Sequence, residues 1–385
     1  MKILHIAISC FYIEGAGYQE NLLPREHRKL GAEVVMVSSQ YAFDAKGKVY
    51  YRPSDTYINA DGIRVVILRD TPHLRFGLNF FKPKCYGLYN ILKDERPDII
   101  FMHGLTALDS LYVVKYKEKN PAVQLYCDQH GDYYNTKYNN FFLQLVLRFI
   151  HRPLVQRIAK SSKMVWGTTP WRCDFLRDVY GVPADKVAFL PMGCNVEKKD
   201  ERQLQVIREN IRTKYGIPQD CFLICSGGKL TREKNILPLA QAVCGMADKS
   251  VKLLLFGSME SELAEEIRRI DKNSQIYQAG WLKSEEAYSI FMASDLACFP
   301  GTHSVLWEQA VACGVPCIFR DWPGMRHVNV NGNAIMLDDV TESGIKTVIQ
   351  ALASNHTMYE TQLKYAKAAQ SEFFYESIAR KAIGL

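Results

Sequence analysis

Twice along this chain a short Val/Ile/Leu-rich run ends in a glycine-containing loop and passes into a stretch of helical periodicity, and that repeated order leaves few folds open. In the first half, residues 2–9 (KILHIAIS) lead into Glu14-Gly15-Ala16-Gly17, then a helical stretch over 19–30 stopped by Gly31, then the apolar run 33–38. Strand, glycine loop, helix, strand is a βαβ unit and calls for a parallel sheet. Further strands are predicted at 63–68, 99–103, 124–128 and 164–168, and their Val/Ile/Leu content marks strands covered on both faces. The second half repeats the order. Residues 221–225 precede Ser226-Gly227-Gly228, 251–256 is ended by Gly257, and Ser258 is placed to cap a helix running to Ile270. Strands at 275–278, 295–299 and 316–319 complete it.

A chain of 385 residues is too long for one ordinary α/β domain and comfortable for two. The polar stretch 191–216, centred on Lys198-Lys199-Asp200-Glu201-Arg202, is where a connection belongs, which divides the chain after residue 192. The net charge of +7 suits an anionic small molecule or an acidic membrane surface, but no lysine/arginine run is dense enough for a nucleic-acid-binding arm. The 11 cysteines are scattered, and the pairs Cys221/Cys225 and Cys313/Cys317 lack zinc-site spacing, so reduced thiols of a cytoplasmic protein are expected. His5 interrupts the N-terminal apolar run and no small-residue cleavage site follows, which favours a first strand over a signal peptide. The most apolar stretch, 141–150, is too short to cross a bilayer and contains Arg148.

In open α/β sheets ligands bind beyond the carboxyl ends of the strands, so the informative residues lie just after them. In Gly227-Gly228-Lys229-Leu230-Thr231-Arg232-Glu233-Lys234 the glycines allow close backbone approach, and Lys229 and Lys234 are placed to reach one anion from a loop at a helix N-terminus. A departing diphosphate gains negative charge, and fixed cations aimed at it favour the transition state. The alternative is a solvated charged loop. Residues 300–316 (PGTHSVLWEQAVACGVP) read as a loop and a helix over 305–313 stopped by Gly314 and Pro316, with Thr302 or Ser304 as its cap. Glu308, one turn inside, would oppose phosphate and suits sugar hydroxyls such as those of a ribose; the alternative is a carboxylate favoured by the helix dipole. Trp281, after Gly280, either borders a nucleobase or sits in a core. In the first half His130 follows Cys127-Asp128-Gln129 at a strand end, as a site residue or a structural histidine. No metal cluster is visible, so neither metal nor cofactor is expected.

These pieces, in this order, resemble glycosyltransferase family 4, retaining enzymes of the GT-B fold. The resemblance is strongest over 227–332: the loop with Lys229 and Lys234, LLLFGS, Gly280, ASDLACFP, the Glu308 helix ending in ACGVPCI, and Asp321-Trp322-Pro323-Gly324. Gly15 to Gly17 with Leu30-Gly31-Ala32-Glu33-Val34 resembles the family's first loop and second strand, and the tail from Glu372 its closing helix. The resemblance implies two facing Rossmann-like doubly wound domains: an acceptor-side domain, 1–192, completed by a helix at 370–385 that crosses back, and a donor-binding domain, 193–369. It implies transfer of a hexosyl unit, with retention, from a nucleoside diphosphate sugar, UDP-sugars favoured, to a saccharide or lipid-linked hydroxyl. Cell-envelope polysaccharide (capsule-type) synthesis in the cytoplasm is the expected setting. Lys229 and Lys234 would clamp the diphosphate, and backbone N–H groups around His303, Ser304 and Val305 would meet it. Glu308 would bind ribose, His130 would lie beside the transferred sugar, and Gly15, Gly17, Gly228 and Trp281 would border the donor. The family often has two glutamates with seven residues between them on this loop, but here Pro300 stands at the first position, eight before Glu308. His303 or Asp321 is the candidate substitute. The basic and apolar stretch 137–163 either rests on an anionic membrane or forms a core helix pair broken near Pro153. A sugar-nucleotide epimerase and a non-catalytic nucleotide-sugar-binding module are the rival functions.

Overall fold

The computed structural model describes residues 1–10, 12–43, 49–70, 85–136 and 138–385. They divide into two units, Met1–Pro191 with Tyr375–Leu385, and Met192–Phe374. The first contains β1 (Lys2–Ala7), α1 (Gln19–Lys29), β2 (Glu33–Ser39), β3 (Tyr41–Phe43), β4 (Val49–Tyr51), β5 (Asp55–Ile58), β6 (Arg64–Leu68) and α2 (Leu88–Glu95). Then come β7 (Ile99–His103), α3 (Ser110–Lys119), β8 (Gln124–Gln129), α4 (Phe141–Val146), α5 (Arg152–Ser161), β9 (Met164–Gly167), α6 (Pro170–Asp178) and β10 (Val187–Phe189).

Eight of these strands form a sheet ordered β10-β9-β8-β7-β1-β2-β6-β5. It is parallel except for β5, which runs antiparallel to β6. Leu4, Ile6, Val35, Val37, Ile100 and Met102 face one core, while Ile3, Ala7, Val34, Met36, Ile99 and Phe101 face the other. Alternate residues therefore enter two apolar layers, which is why these strands read as unbroken apolar runs. The strand order reverses between β1 and β7, the point at which open α/β sheets hold their ligands.

The second unit contains α7 (Glu201–Tyr215), β11 (Phe222–Gly227), α8 (Ile236–Cys244), β12 (Val251–Phe256), α9 (Ser261–Ile270), β13 (Ile276–Gly280) and α10 (Ser284–Ala293). It continues with β14 (Leu296–Phe299), α11 (Leu306–Ala312), β15 (Cys317–Arg320), β16 (Ala334–Leu337), α12 (Glu342–Ser354) and α13 (His356–Ala369). Its sheet is ordered β13-β12-β11-β14-β15-β16 and is parallel throughout, so here the reversal lies between β11 and β14. The last helix, α14 (Tyr375–Ala382), belongs to the first unit. There Tyr375, Ile378, Ala379 and Ala382 pack with Leu22 and Leu23 of α1, and Trp166 Nε1 donates to the Ala382 carbonyl at 3.0 Å.

Several expectations change. Residues 370–374 stay with the second unit, and only 375–385 return to the first. The polar stretch expected to be a connection through residue 216 is mostly the four-turn helix α7. Asp200 and Gln203 form a reciprocal capping box at its start, and Gly216 at φ 67° ends it. α9 starts at Ser261 without a side-chain cap, so Ser258 does not cap it. The helix pair expected to break near Pro153 is joined by a π-type turn, Leu147–His151, and Pro153 sits harmlessly in the first turn of α5. Lys137 lies outside the described residues.

Candidate functional site

In the second unit the loops after β11, β12, β13 and β14 interlock through backbone groups at the point of reversal. Gly228 N donates to Phe256 O at 3.0 Å, Gly257 N to Gly280 O at 2.6 Å, Leu230 N to Ser258 O at 2.7 Å, and Thr302 N to Glu233 O at 3.2 Å. Two of its glycines leave no room for a side chain of their own. A Cβ on Gly257 would stand 2.0 Å from Gly228 O, and one on Gly301 would stand 2.2 Å from Lys234 Cα. Gly228 itself has φ +105° and packs against Leu306 at the start of α11.

Lys234 is the charged centre of this junction. Its Nζ donates to the carbonyls of Thr302 at 2.6 Å and His303 at 3.1 Å, which ties it to the loop ahead of α11. Burial lowers its pKa to about 8, against an opposing pull from Glu233. Lys229 is exposed and makes no ion pair among the described residues. Neither Thr302 nor Ser304 caps α11: Val305 occupies the cap position and no side chain bonds there, while Ser304 O accepts from Trp307 N at 3.0 Å. Backbone N–H groups at this end are thus left to other partners.

Glu308 is fully buried. His303 Nε2 lies 2.9 Å from its Oε1 and 3.1 Å from its Oε2, and His327 Nε2 lies 2.9 Å from Oε1. Burial works against its charge, but the two imidazoles more than offset this and hold its carboxyl well below the ordinary range. The expected open acceptor for ribose hydroxyls is therefore, in this structure, a carboxylate already accepting from two rings. His303 and Asp321 do not stand free as substitutes for the missing glutamate either. His303 turns to Glu308, and Arg326 holds Asp321 through its Nε at 2.8 Å and a second contact from Nη2. Two imidazole nitrogens and a carboxylate oxygen within 4.8 Å of one another also make a donor set that zinc accepts, a cluster the sequence did not reveal. His327 lies 19 residues beyond Glu308 on a separate loop, and no periodicity links the two. Trp281 is 75% exposed, which removes the core alternative and leaves an aromatic face beside β13.

In the first unit one predicted residue, His130, reaches the cavity at the reversal point. Gly15, at φ +74°, makes the turn after β1 with open space where a Cβ would stand, and Gly17 follows in the same loop. A cavity of about 320 Å³ opens beside this loop, lined by Ser9, Cys10, Gly104, Gln129, His130 and Leu143 among others. His130 Nε2 stands 3.5 Å from Asp128 Oδ1. Burial lowers the His130 pKa, and the Asp128 carboxylate outweighs this, so the net shift is upward. The spacing Asp128-Gln129-His130 thus pairs the two side chains, as a strand end permits.

Two family descriptions match the chain in tandem: "Glycosyltransferase Family 4" over residues 21–198 and "Glycosyl transferases group 1" over residues 207–372. Among solved structures, HepE of Anabaena in complex with UDP superposes with a TM-score of 0.69 at 16% identity, covering 99% of this chain and 98% of that one. The UDP-GlcNAc 2-epimerase of Neisseria meningitidis bound to UDP-GlcNAc superposes at 0.60 with 13% identity, covering 100% and 99%. An uncharacterised glycosyltransferase of Methanocaldococcus jannaschii is 22% identical over 163 residues, which span 40% of this chain and 42% of that protein. Tandem matches to both halves, on two Rossmann-like parallel sheets with glycine junctions at their reversal points, place the chain in one group: it belongs to the GT-B glycosyltransferases of the family 4 type.

Proposed function

We propose that this protein transfers a hexosyl unit from a nucleoside diphosphate sugar, UDP-sugars being the favoured class, to a saccharide or lipid-linked hydroxyl with retention of configuration. The observation that carries this reading is the Lys234 ammonium, half-buried and tied to the carbonyls of Thr302 and His303 at the start of α11. A cation there, with Lys229 from the same loop and the backbone N–H groups around His303 to Val305, suits a diphosphate whose charge grows as the sugar leaves. The acceptor oxygen attacks the anomeric carbon on the face from which the diphosphate departs, and the departing phosphate oxygen takes the acceptor proton. Glu308, held by His303 and His327, is assigned to the ribose once donor binding turns one imidazole aside. Trp281 borders the base, and His130, with Gly15 and Gly17, is assigned to the sugar.

A thermal-shift screen against UDP-, GDP- and ADP-sugars, run with EDTA and again with added zinc, tests this reading. One nucleotide class is expected to raise the melting temperature in EDTA, as a ligand that binds only the folded state must. The rise should vanish in Lys229→Ala and Lys234→Ala. A shift that appears only with zinc would replace the metal-independent mechanism by one built on His303, Glu308 and His327. Donor breakdown without any acceptor would favour an epimerase, and binding without turnover a binding module.

We assign the membrane-facing role to α4 and α5. Phe141, Phe142, Leu145 and Phe149 are 74%, 57%, 37% and 68% exposed, and Arg148, Arg157 and Lys160 are exposed along the same segment. Apolar side chains beside basic ones suit an anionic bilayer surface at the cytoplasmic face. No helix among the described residues is long and apolar enough to cross a membrane. Flotation with phosphatidylglycerol vesicles at low salt should carry the protein upward, and Phe141→Asp with Phe149→Asp should leave it at the bottom. Equal flotation of both would sink the assignment.

A further inference from the structure

Three histidines and an aspartate, far apart in sequence, form an unbroken chain inside the first unit. His27 Nε2 lies 2.8 Å from the Ala379 carbonyl oxygen on α14. His27 Nδ1 lies 3.0 Å from His5 Nε2, and His5 Nδ1 lies 3.0 Å from His103 Nε2. His103 Nδ1 lies 2.8 Å from Asp128 Oδ2. All four residues are 0% exposed, and Phe101 packs against the rings of His5 and His103 at 5.4 and 5.0 Å.

Each of the four gaps must hold one proton, because two bare lone pairs repel. Three neutral imidazoles supply three. Both ends of the chain are oxygen acceptors, so no choice of tautomers removes the need for a fourth. Burial, helped by His27 and His103, drives His5 well below its usual pKa. Burial lowers His27 to about 4, against the pull of the Ala379 carbonyl. Asp128 is the one carboxylate in this hydrogen-bonded chain, so the added proton rests in the gap beside it, between Asp128 and His103.

We propose that His5, His27 and His103 act as a positioning relay that retains one added proton against Asp128 and thereby sets the charge state of His130. Cutting the chain anywhere, even at its far end, lets that proton go. The remaining rings then satisfy their gaps in neutral form, and Asp128 faces His130 as an uncompensated carboxylate. The bearing of the relay on glycosyl transfer rests on the proposed place of His130 beside the sugar, but the relay itself does not. The charged and titratable groups around His130 are Asp128 on β8, Glu20 on α1, Arg172 on α6, and His151, which lines the same cavity. Asp128 also accepts from Gln19 Nε2 at 3.2 Å and Gly104 N at 3.2 Å, and both contacts persist when the relay is cut.

The test is a pH titration of the full chain by nitrogen-15 histidine NMR, with His130→Asn to assign the His130 signal. His27→Phe, which leaves every group around His130 in place, should raise its midpoint by about one pH unit, the low end of what one nearby charge does. His5→Phe should do the same. His5→Gln should leave the midpoint where it is. Its carbonyl can accept from His103 and its amide can donate to His27, so the fourth proton is still required. If one phenylalanine variant does not fold, as judged by its melting curve, the other decides. An unmoved or lowered midpoint in the folded phenylalanine variants overturns the proposal, as does a glutamine variant that shifts like phenylalanine. No turnover is measured, so failure of the glycosyltransferase reading would leave this result standing.

Discussion

Lys234→Ala is expected to lower kcat/KM for the sugar donor by about 100- to 1,000-fold, the usual loss when one preorganised partner of a developing negative charge is removed. The argument rests on where the amine sits. Its Nζ is anchored by two carbonyls of the loop ahead of α11, and Gly301 packs directly on its backbone, so the cation needs little reorganisation to meet an anion. Its pH behaviour adds a signed expectation. In the free protein burial holds the Lys234 pKa at about 8, so the ammonium is lost as pH rises through that value and donor capture falls with it. Bound diphosphate favours the charged form. The alkaline limb of kcat should therefore lie at higher pH than that of kcat/KM, since the latter reports the free enzyme. Lys234→Arg, always charged, should flatten the limb even where its bulkier head lowers the rate. A variant without the amine that keeps more than a tenth of the activity, or wild-type profiles without an alkaline limb, would remove Lys234 from the mechanism.

Asp295→Ala is expected to destabilise the second unit by about 3–5 kcal/mol, the cost of leaving a buried partner charge uncompensated. Asp295 precedes β14 and accepts from Arg208 at 2.8 Å, Arg212 at 2.9 Å and Leu223 N at 2.7 Å. Arg212 is 0% exposed and also donates to the carbonyls of Pro218, Gln219 and Cys221. The carboxylate therefore fastens α7 to the amino ends of β11 and β14, the two central strands of the sheet, and β11 carries the Lys234 loop at its other end. For a unit of this size the loss corresponds to a fall in melting temperature of roughly 6–20 °C by calorimetry. A fall below roughly 2 °C would mean that water reaches Arg212 once the aspartate is gone.

How much of this was legible without the structure varies by element, for physical reasons. The strands were legible because both faces of each parallel sheet are covered, which writes long apolar runs into the chain. α7 was not. In its sequence ERQLQVIRENIRTKY the apolar stripe Leu204, Ile207, Ile211 and Tyr215 is only half-buried and is set among charged residues, although Asp200 with Gln203 is the capping-box signature that marks its start. Lys234 and the glycine loops were legible as types at strand ends, because the position of a ligand site in a doubly wound sheet follows from topology. The partners of Glu308 were not. A glutamate one turn into a helix looks the same in sequence whether it faces solvent or accepts from His303 and His327.

The sequence by itself determined the order of strands and helices, the two parallel sheets and the loops on which chemistry is possible, because periodicity and glycine placement are local properties of the chain. The tertiary structure alone decided which polar groups meet. His5 looked like a flaw in an apolar strand. It is the centre of a chain reaching His27, His103 and Asp128, because the sheet sets β1 beside β7, and β7 beside β8, while α1 lies over the same face. A buried polar group must be satisfied by whatever the fold brings within 3 Å, and that neighbour need not be near in sequence.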